Sequence, residues 1–343
     1  MKNPFTLAFG KSPINYIERA MQKNEIINSF SEDNPPYQVC MITGVRGAGK
    51  TVILTEIARY FREEEEWIVI DLSPERDLLQ SFAAALCNSS QLIPLFQDAK
   101  INLSFLGLGI EMDGVPPITD ISVAIDRMLE RIGKKKKKVL ITIDEVTSNE
   151  HMRRFVSEFQ IYMRKDYPVY LLMTGLFENI YELQNEKSLT FLYRAPKIEL
   201  RPLSETMIAQ KYEKIFSLTK EDARAMARET KGYPFAFQVL GYLCWKNKTK
   251  WTEILEEYSQ YLEEYVYEKV WSEMSINDRK VVIAIAKSPT GKVGDIRELT
   301  DKNSANFSVY RDRLIKKGVV SALSYGYLEF TLPRFREFVL KME

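Results

Sequence analysis

Residues Gly44-Val45-Arg46-Gly47-Ala48-Gly49-Lys50-Thr51 form a complete G-x-x-x-x-G-K-[ST] pattern. An apolar run, Val39-Cys40-Met41-Ile42, precedes it, and a helix-like run beginning at Val52 follows. Glycines allow successive backbone N–H groups to turn inward around an anion, and the following helix offers its positive end to the same anion. The pattern therefore predicts a phosphate site formed by Gly44 to Thr51 and Val52. Lys50 would reach the β- and γ-phosphates, and the Thr51 hydroxyl would ligate Mg²⁺.

A second group of chemical residues lies about ninety positions on. Asp144-Glu145 ends the apolar run Val139-Leu140-Ile141-Thr142-Ile143. Carboxylates at the C-terminal end of a buried parallel strand emerge where ligands of such sheets bind. Asp144 is placed to hold Mg²⁺, usually through its water shell. Glu145 would orient and deprotonate a water that attacks the γ-phosphate. Thr174 ends the run Val169–Thr174 and offers a hydroxyl to the γ-phosphate or to that water. A strand-end threonine bonding local backbone is the competing reading. Phosphoryl transfer also calls for added positive charge, which Arg194 would supply, with Arg201 as second candidate; a surface ion pair competes for each.

The elements that must position these groups alternate between two patterns. Short buried-strand runs recur at 39–42, 67–72, 139–143, 169–175 and 197–200, with helical segments between them. The predicted fold class is α/β, a five-stranded parallel sheet with helices on both faces. Helices are expected at 14–30, from the Ser73-Pro74-Glu75 start, and at 118–132. Residues 100–113 read as a β-hairpin or extended excursion around Gly107 and Gly109. From Pro202 strand signals stop. Helical patterns cover 203–216, 219–231, 233–246 and 251–274. Short helices at 277–287 and 294–300 and a longer one at 304–317 then precede a hairpin of 318–323 with 326–332. Three helices followed by a hairpin is the order of a winged helix-turn-helix. The expected domains are 1–201, an α/β core; 202–274, an α-helical lid; and 275–343, the winged helix.

Bulk composition bounds the remainder. The chain has 343 residues, 45% apolar and 28% charged, with formal net charge +1, so no overall basic field points to nucleic acid. Cys40, Cys87, Cys244 and His151 lack metal-like spacing and suit a reducing compartment. The lysines at 134–138 read as a solvated turn rather than a nucleic-acid patch. No run reaches membrane-spanning length and the start lacks a signal-peptide core, so a cytoplasmic location is expected.

Taken together, these residues resemble an AAA+/STAND-type P-loop ATPase, closest to archaeal and bacterial ATPases related to origin-recognition initiators. The phosphate loop (Walker A) and Asp144-Glu145 (Walker B) carry the resemblance. So do Leu171-Leu172-Met173-Thr174-Gly175 in the sensor-strand position, and Leu192-Tyr193-Arg194-Ala195 running into Ile198–Leu203. Gly232-Tyr233-Pro234 is similar to the G-x-P motif that STAND ATPases place in the lid near the nucleotide, so Tyr233 and Pro234 join the nucleotide contacts. A turn between two helices explains Gly232 and Pro234 equally well. The lid has no arginine where many AAA+ proteins carry a nucleotide-sensing one. The N-terminal adenine contact, by the same resemblance, falls on Pro13, Ile14 and Ile17, although the usual Gly-Arg pair is reduced to Arg19.

The resemblance implies ATP and Mg²⁺ as cofactors and ATP hydrolysis as the activity. The leading reading is a molecular switch, with nucleotide between core and lid controlling the winged helix. One alternative is a DNA-associated ATPase docking on duplex through Asn306, Tyr310, Arg311 and Arg313. Winged helices of such ATPases also serve as internal packing modules. A slow, nucleotide-gated scaffold binding a protein partner is the other alternative. If Arg194 acts across subunits, the active form is a nucleotide-dependent oligomer.

Overall fold

The computed structural model describes residues 2–7, 15–98, 102, 118–300, 304–322 and 324–343. Residues 100 and 101, 103–113, Pro13 and Ile14 lie outside the described residues, and with them the expected hairpin and two adenine contacts. Close packing divides the chain into two compact units. One comprises Arg19–Thr43 and Lys50–Glu199; the other comprises Met1–Glu18, Gly44–Gly49 and Leu200–Glu343.

The first unit is the α/β one. In chain order it contains α1 (Ala20–Ser31), β1 (Val39–Thr43), α2 (Lys50–Glu63), β2 (Trp67–Leu72), α3 (Leu78–Asn88), α4 (Ile93–Asp98) and α5 (Ile121–Lys134). There follow β3 (Lys138–Ile143), α6 (Glu150–Arg164), β4 (Val169–Gly175), α7 (Phe177–Asn185), a 3-10 segment (Lys187–Arg194) and β5 (Lys197–Glu199). The strands make a five-stranded sheet in the order β2-β3-β4-β1-β5, and every pairing is parallel. This is the predicted α/β sheet. Successive strand side chains face opposite ways, and both faces are apolar here, as helices on both sides require. Val39, Met41, Ile141, Ile143, Leu171 and Met173 join the core built with Phe82, Met128, Phe155 and Phe159 from α3, α5 and α6. On the other face Trp67 and Tyr170 pack in tilted contacts with Phe30 of α1 and Phe61 of α2, at centroid distances of 4.2 to 6.3 Å.

Three boundaries differ from expectation. The first helix starts at Ala20 rather than residue 14. Residues 15–18 form no helix and belong to the other unit, where Gln238 Nε2 donates to the Asn15 carbonyl at 2.6 Å and Ile17 is buried. The helix placed at Ser73 begins at Leu78, because the Asp77 side chain accepts the Gln80 N–H. The helix expected at 118–132 runs Ile121–Lys134, capped by Asp120.

The second unit is mostly helical. It holds α8 (Glu205–Phe216), α9 (Lys220–Glu229), α10 (Pro234–Asn247), α11 (Leu255–Leu262), α12 (Glu268–Ser272), α13 (Ile276–Lys287), α14 (Val293–Glu298) and α15 (Ser304–Lys316). The chain closes with β6 (Val320–Ser321), β7 (Glu329–Phe330) and α16 (Phe335–Lys341). The single helix expected over 251–274 is interrupted. A 3-10 turn covers Trp251–Glu253, and a π-turn, Glu263–Tyr267, separates α11 from α12. That wide turn brings both Val266 and Tyr267 into the core, where the Tyr267 hydroxyl donates to the Pro333 carbonyl at 2.6 Å. The terminal hairpin is also shorter than expected, with Val320 opposite Phe330 and Ser321 opposite Glu329. Residues 326–328 pair elsewhere, because the Gly326 and Gly291 carbonyls accept N–H bonds from Val293 and Leu328, each at 2.8 Å.

No described helix is long and apolar enough to cross a membrane. All three cysteines are buried and free, and burial pushes the Cys40 and Cys244 thiols up to about 12.

Candidate functional site

Strand geometry alone brings the carboxylate pair and Thr174 together. β3 pairs with β4 so that Ile143 lies opposite Met173. The next residues, Asp144 and Thr174, are therefore neighbours at the C-terminal edge of the sheet. By alternation they share the face of Leu140 and Tyr170, against which α2 packs. Thr51 lies in the first turn of α2.

The side chains meet accordingly. Thr51 Oγ1 donates to Asp144 Oδ2 at 2.7 Å. The Thr174 hydroxyl donates to Asp144 Oδ1 and accepts the Glu145 N–H at 3.3 Å. Asp144 Oδ1 also accepts that N–H at 3.1 Å. The next amide, of Val146, goes to the Thr174 carbonyl at 2.9 Å. Two consecutive amides thus bind one residue of β4. The chain turns sharply between them, and Glu145 sits at φ +53°, a left-handed conformation that costs a non-glycine residue about 1–2 kcal/mol. Its side chain is exposed, while Thr174 is wholly buried.

Thr51 and Asp144 are adjacent hard oxygen donors. Among the described residues no cluster of three or more His, Cys, Asp or Glu could enclose a metal. Mg²⁺ characteristically takes one or two protein oxygens and completes its shell with water and phosphate, so this donor set fits it. Lys50, at the start of α2, is buried with 8% of its surface exposed.

The loop Gly44–Gly49 packs with the helical unit. Gly47 and Gly49 have φ of +77° and +88°, the left-handed backbone that turns amides inward. The Tyr233 hydroxyl donates to the Arg46 carbonyl at 2.6 Å, and a Cβ on Gly47 would lie 2.1 Å from that hydroxyl oxygen. Only glycine fits there. Arg46 Nη2 bonds Glu273 Oε1 at 3.0 Å, just beyond α12. Burial holds the Tyr233 phenol well above its usual range. Gly232 occupies the turn between α9 and α10 at φ +71°, where a Cβ would stand 2.4 Å from the Leu203 carbonyl oxygen. Pro234 opens α10, the helix position that needs no N–H partner. The turn reading of Gly232 and Pro234 therefore describes their local geometry.

The remaining predicted residues have surroundings of their own. Ile17 is buried in the helical unit's core. Arg194 ends the 3-10 segment, exposed and without an ion pair or hydrogen bond among the described residues. On α15 Asn306 is exposed, whereas Arg311 pairs with Asp312 at 2.8 Å. Arg313 Nε donates to Asp278 Oδ1 at 2.9 Å, and its guanidinium lies over the Tyr310 ring. Asp278 is 1% exposed, so Arg313 has a structural partner. The sequence reading missed Glu273. It stands 227 positions from Arg46, and no local pattern marks it.

Comparison with known proteins bears on the fold. A sequence-family profile described as a domain of unknown function (DUF8462) matches residues 264–339. No curated protein sequence matches the chain. Among solved structures, the Walker-type ATPase PABY2304 of Pyrococcus abyssi superposes with TM-score 0.65 at 15% identity, covering 95% of this chain and 96% of that one. The Aeropyrum pernix ORC2 protein, solved as ADPNP–ADP complexes, gives 0.60 at 12% identity over 98% and 96%. Cdc6p from Pyrobaculum aerophilum gives 0.50 at 13% over 98% and 97%.

Proposed function

We propose that this chain, which has the fold of archaeal Walker-type and initiator-related P-loop ATPases, is an Mg-ATP-binding and -hydrolysing molecular switch. The observation that carries this reading is the hydroxyl of Thr51 at 2.7 Å from the carboxylate of Asp144, at the head of the helix that follows the glycine loop. Nucleotide phosphates would lie on the amides of 44–51, with Lys50 neutralising the β- and γ-phosphates. Bound Mg²⁺ would supply charge stabilisation for the phosphoryl group, held by Thr51 and Asp144. Glu145, exposed on its left-handed turn, is the acceptor for the proton of the attacking water. Arg194, exposed and without an ion pair among the described residues, would supply positive charge as the phosphate is transferred.

The switch resides in the loop's own contacts. Tyr233 holds the Arg46 carbonyl and Glu273 holds its guanidinium, so a phosphate that reshapes the loop alters both bonds. Glu273 directly precedes the winged-helix segment in sequence, and a change at the loop is thereby carried towards it. Arg313 in its bond to Asp278 favours a packing role for α15 over duplex contact.

The test is nucleotide binding and phosphate release by the purified chain. Wild type should bind Mg-ATP, and Lys50→Ala should not. Glu145→Gln should keep binding and lose about 10²- to 10⁴-fold in turnover, the usual contribution of a positioned base. Unchanged hydrolysis by that variant would remove Glu145 as the base.

A further inference from the structure

The Thr174 hydroxyl is engaged on both sides within the sheet edge. A residue that touches the γ-phosphate or the attacking water must offer its hydroxyl to them. Here the hydroxyl proton is already donated to Asp144 Oδ1, and a lone pair takes the Glu145 N–H at 3.3 Å. The residue is wholly buried. Asp144 Oδ1 is in turn filled by two donors, the Thr174 hydroxyl and the Glu145 N–H, which leaves Oδ2 directed at Thr51.

Resting on the Mg-ATP reading above, we infer that Thr174 is a positioning residue: it fixes the rotation of the Asp144 carboxylate so that one oxygen faces the metal-binding hydroxyl of Thr51. The physical basis is preorganisation. A carboxylate free to turn about its Cβ–Cγ bond presents the metal with a mixture of orientations, and holding one of them removes that entropy from the binding step. Groups that orient metal-binding side chains commonly contribute about 10- to 100-fold in metal affinity or activity. The same hydroxyl holds the amide of Glu145, so the orientation of the carboxylate and the turn that displays the base depend on one atom.

Thr174→Val keeps the shape and removes the hydroxyl; Thr174→Ala removes it with less volume, should the valine variant fold poorly; Thr174→Ser retains it. Nucleotide affinity is measured for the whole chain with a fluorescent ATP analogue, in EDTA and across a Mg²⁺ titration. Both hydroxyl-free variants should need about tenfold more Mg²⁺ for half-maximal effect. Their affinity in EDTA should stay within about twofold of wild type, and serine should restore the Mg²⁺ dependence. Unchanged Mg²⁺ dependence with lowered turnover would overturn the inference, placing Thr174 against the reacting phosphate instead. A serine variant as impaired as valine would also overturn it. If the wild type bound nucleotide without responding to Mg²⁺, or bound none, the Mg-ATP reading itself would fall, an outcome visible before any variant is made.

Discussion

Asp144 and Asp278 are each held by a hydroxyl-bearing neighbour, yet they differ in what surrounds them. Asp278 is 1% exposed and lies with Ser275 in a capping box, while Arg313 and Lys317 neutralise it. Asp144 is half-buried and, among the described residues, receives donors from Thr51, Thr174 and the Glu145 amide and makes no salt bridge. A carboxylate oriented by neutral groups keeps its charge available for a cation. One enclosed by two cations has spent that charge on the fold. The contrast separates a carboxylate left available to a cation from one committed to the fold.

The largest expected effect tests the committed carboxylate. Removing one partner of a buried ion pair commonly costs about 3–5 kcal/mol, so Asp278→Ala should lower the urea midpoint of the chain sharply. A midpoint equal to wild type would erase the distinction. Asp144→Ala should act chiefly on the use of a cation: the donors it releases are uncharged groups, so no cation is left unpaired, whereas Mg²⁺ should no longer strengthen nucleotide binding. A Mg²⁺ response retained in that variant would mean the charge of Asp144 is not used for a cation.

Two smaller effects concern the loop beside the site. Tyr233→Phe removes the bond to the Arg46 carbonyl, worth about 0.5–1.5 kcal/mol, and should shift ATP affinity by up to about tenfold with the fold intact. Glu273→Gln loosens an ion pair whose side chains are about one-third exposed, worth under ~1 kcal/mol after solvent screening, so the shift should stay below about fivefold. A larger response at Glu273 than at Tyr233 would make the ion pair, rather than the phenol, the principal restraint on the loop.

Much of the α/β unit was legible in the sequence. Buried strands such as Val139–Ile143 and Val169–Gly175 are continuous apolar runs, and the phosphate-loop pattern is local and nearly complete in itself. The turn-rich caps were read less well. Ser73 looks as good a helix start as Asp77, and only the bond from Gln80 selects between them. Residues 15–18 continue a helical pattern yet stay outside the helix, where the Asn15 carbonyl is taken by Gln238. The helix expected over 251–274 carried no sign of its π-turn, which answers to the burial of Val266 and Tyr267 together. Thr174 was picked out as a strand-end hydroxyl for the γ-phosphate or the attacking water, but its bond to Asp144 is not legible from its place in a strand.

The chain's residue order by itself determined the chemical inventory: glycines for an anion loop, Lys50 and Thr51 at its end, and a carboxylate pair closing a buried strand. These follow from short-range spacing, which covalent geometry converts directly into position. Tertiary structure decided how the groups are used. It directed Thr174 onto Asp144, set Tyr233 and Glu273 on the phosphate loop, and gave Arg313 to Asp278. Those pairings span from 30 to 227 positions, and at such separations only strand register and helix packing determine which polar group meets which.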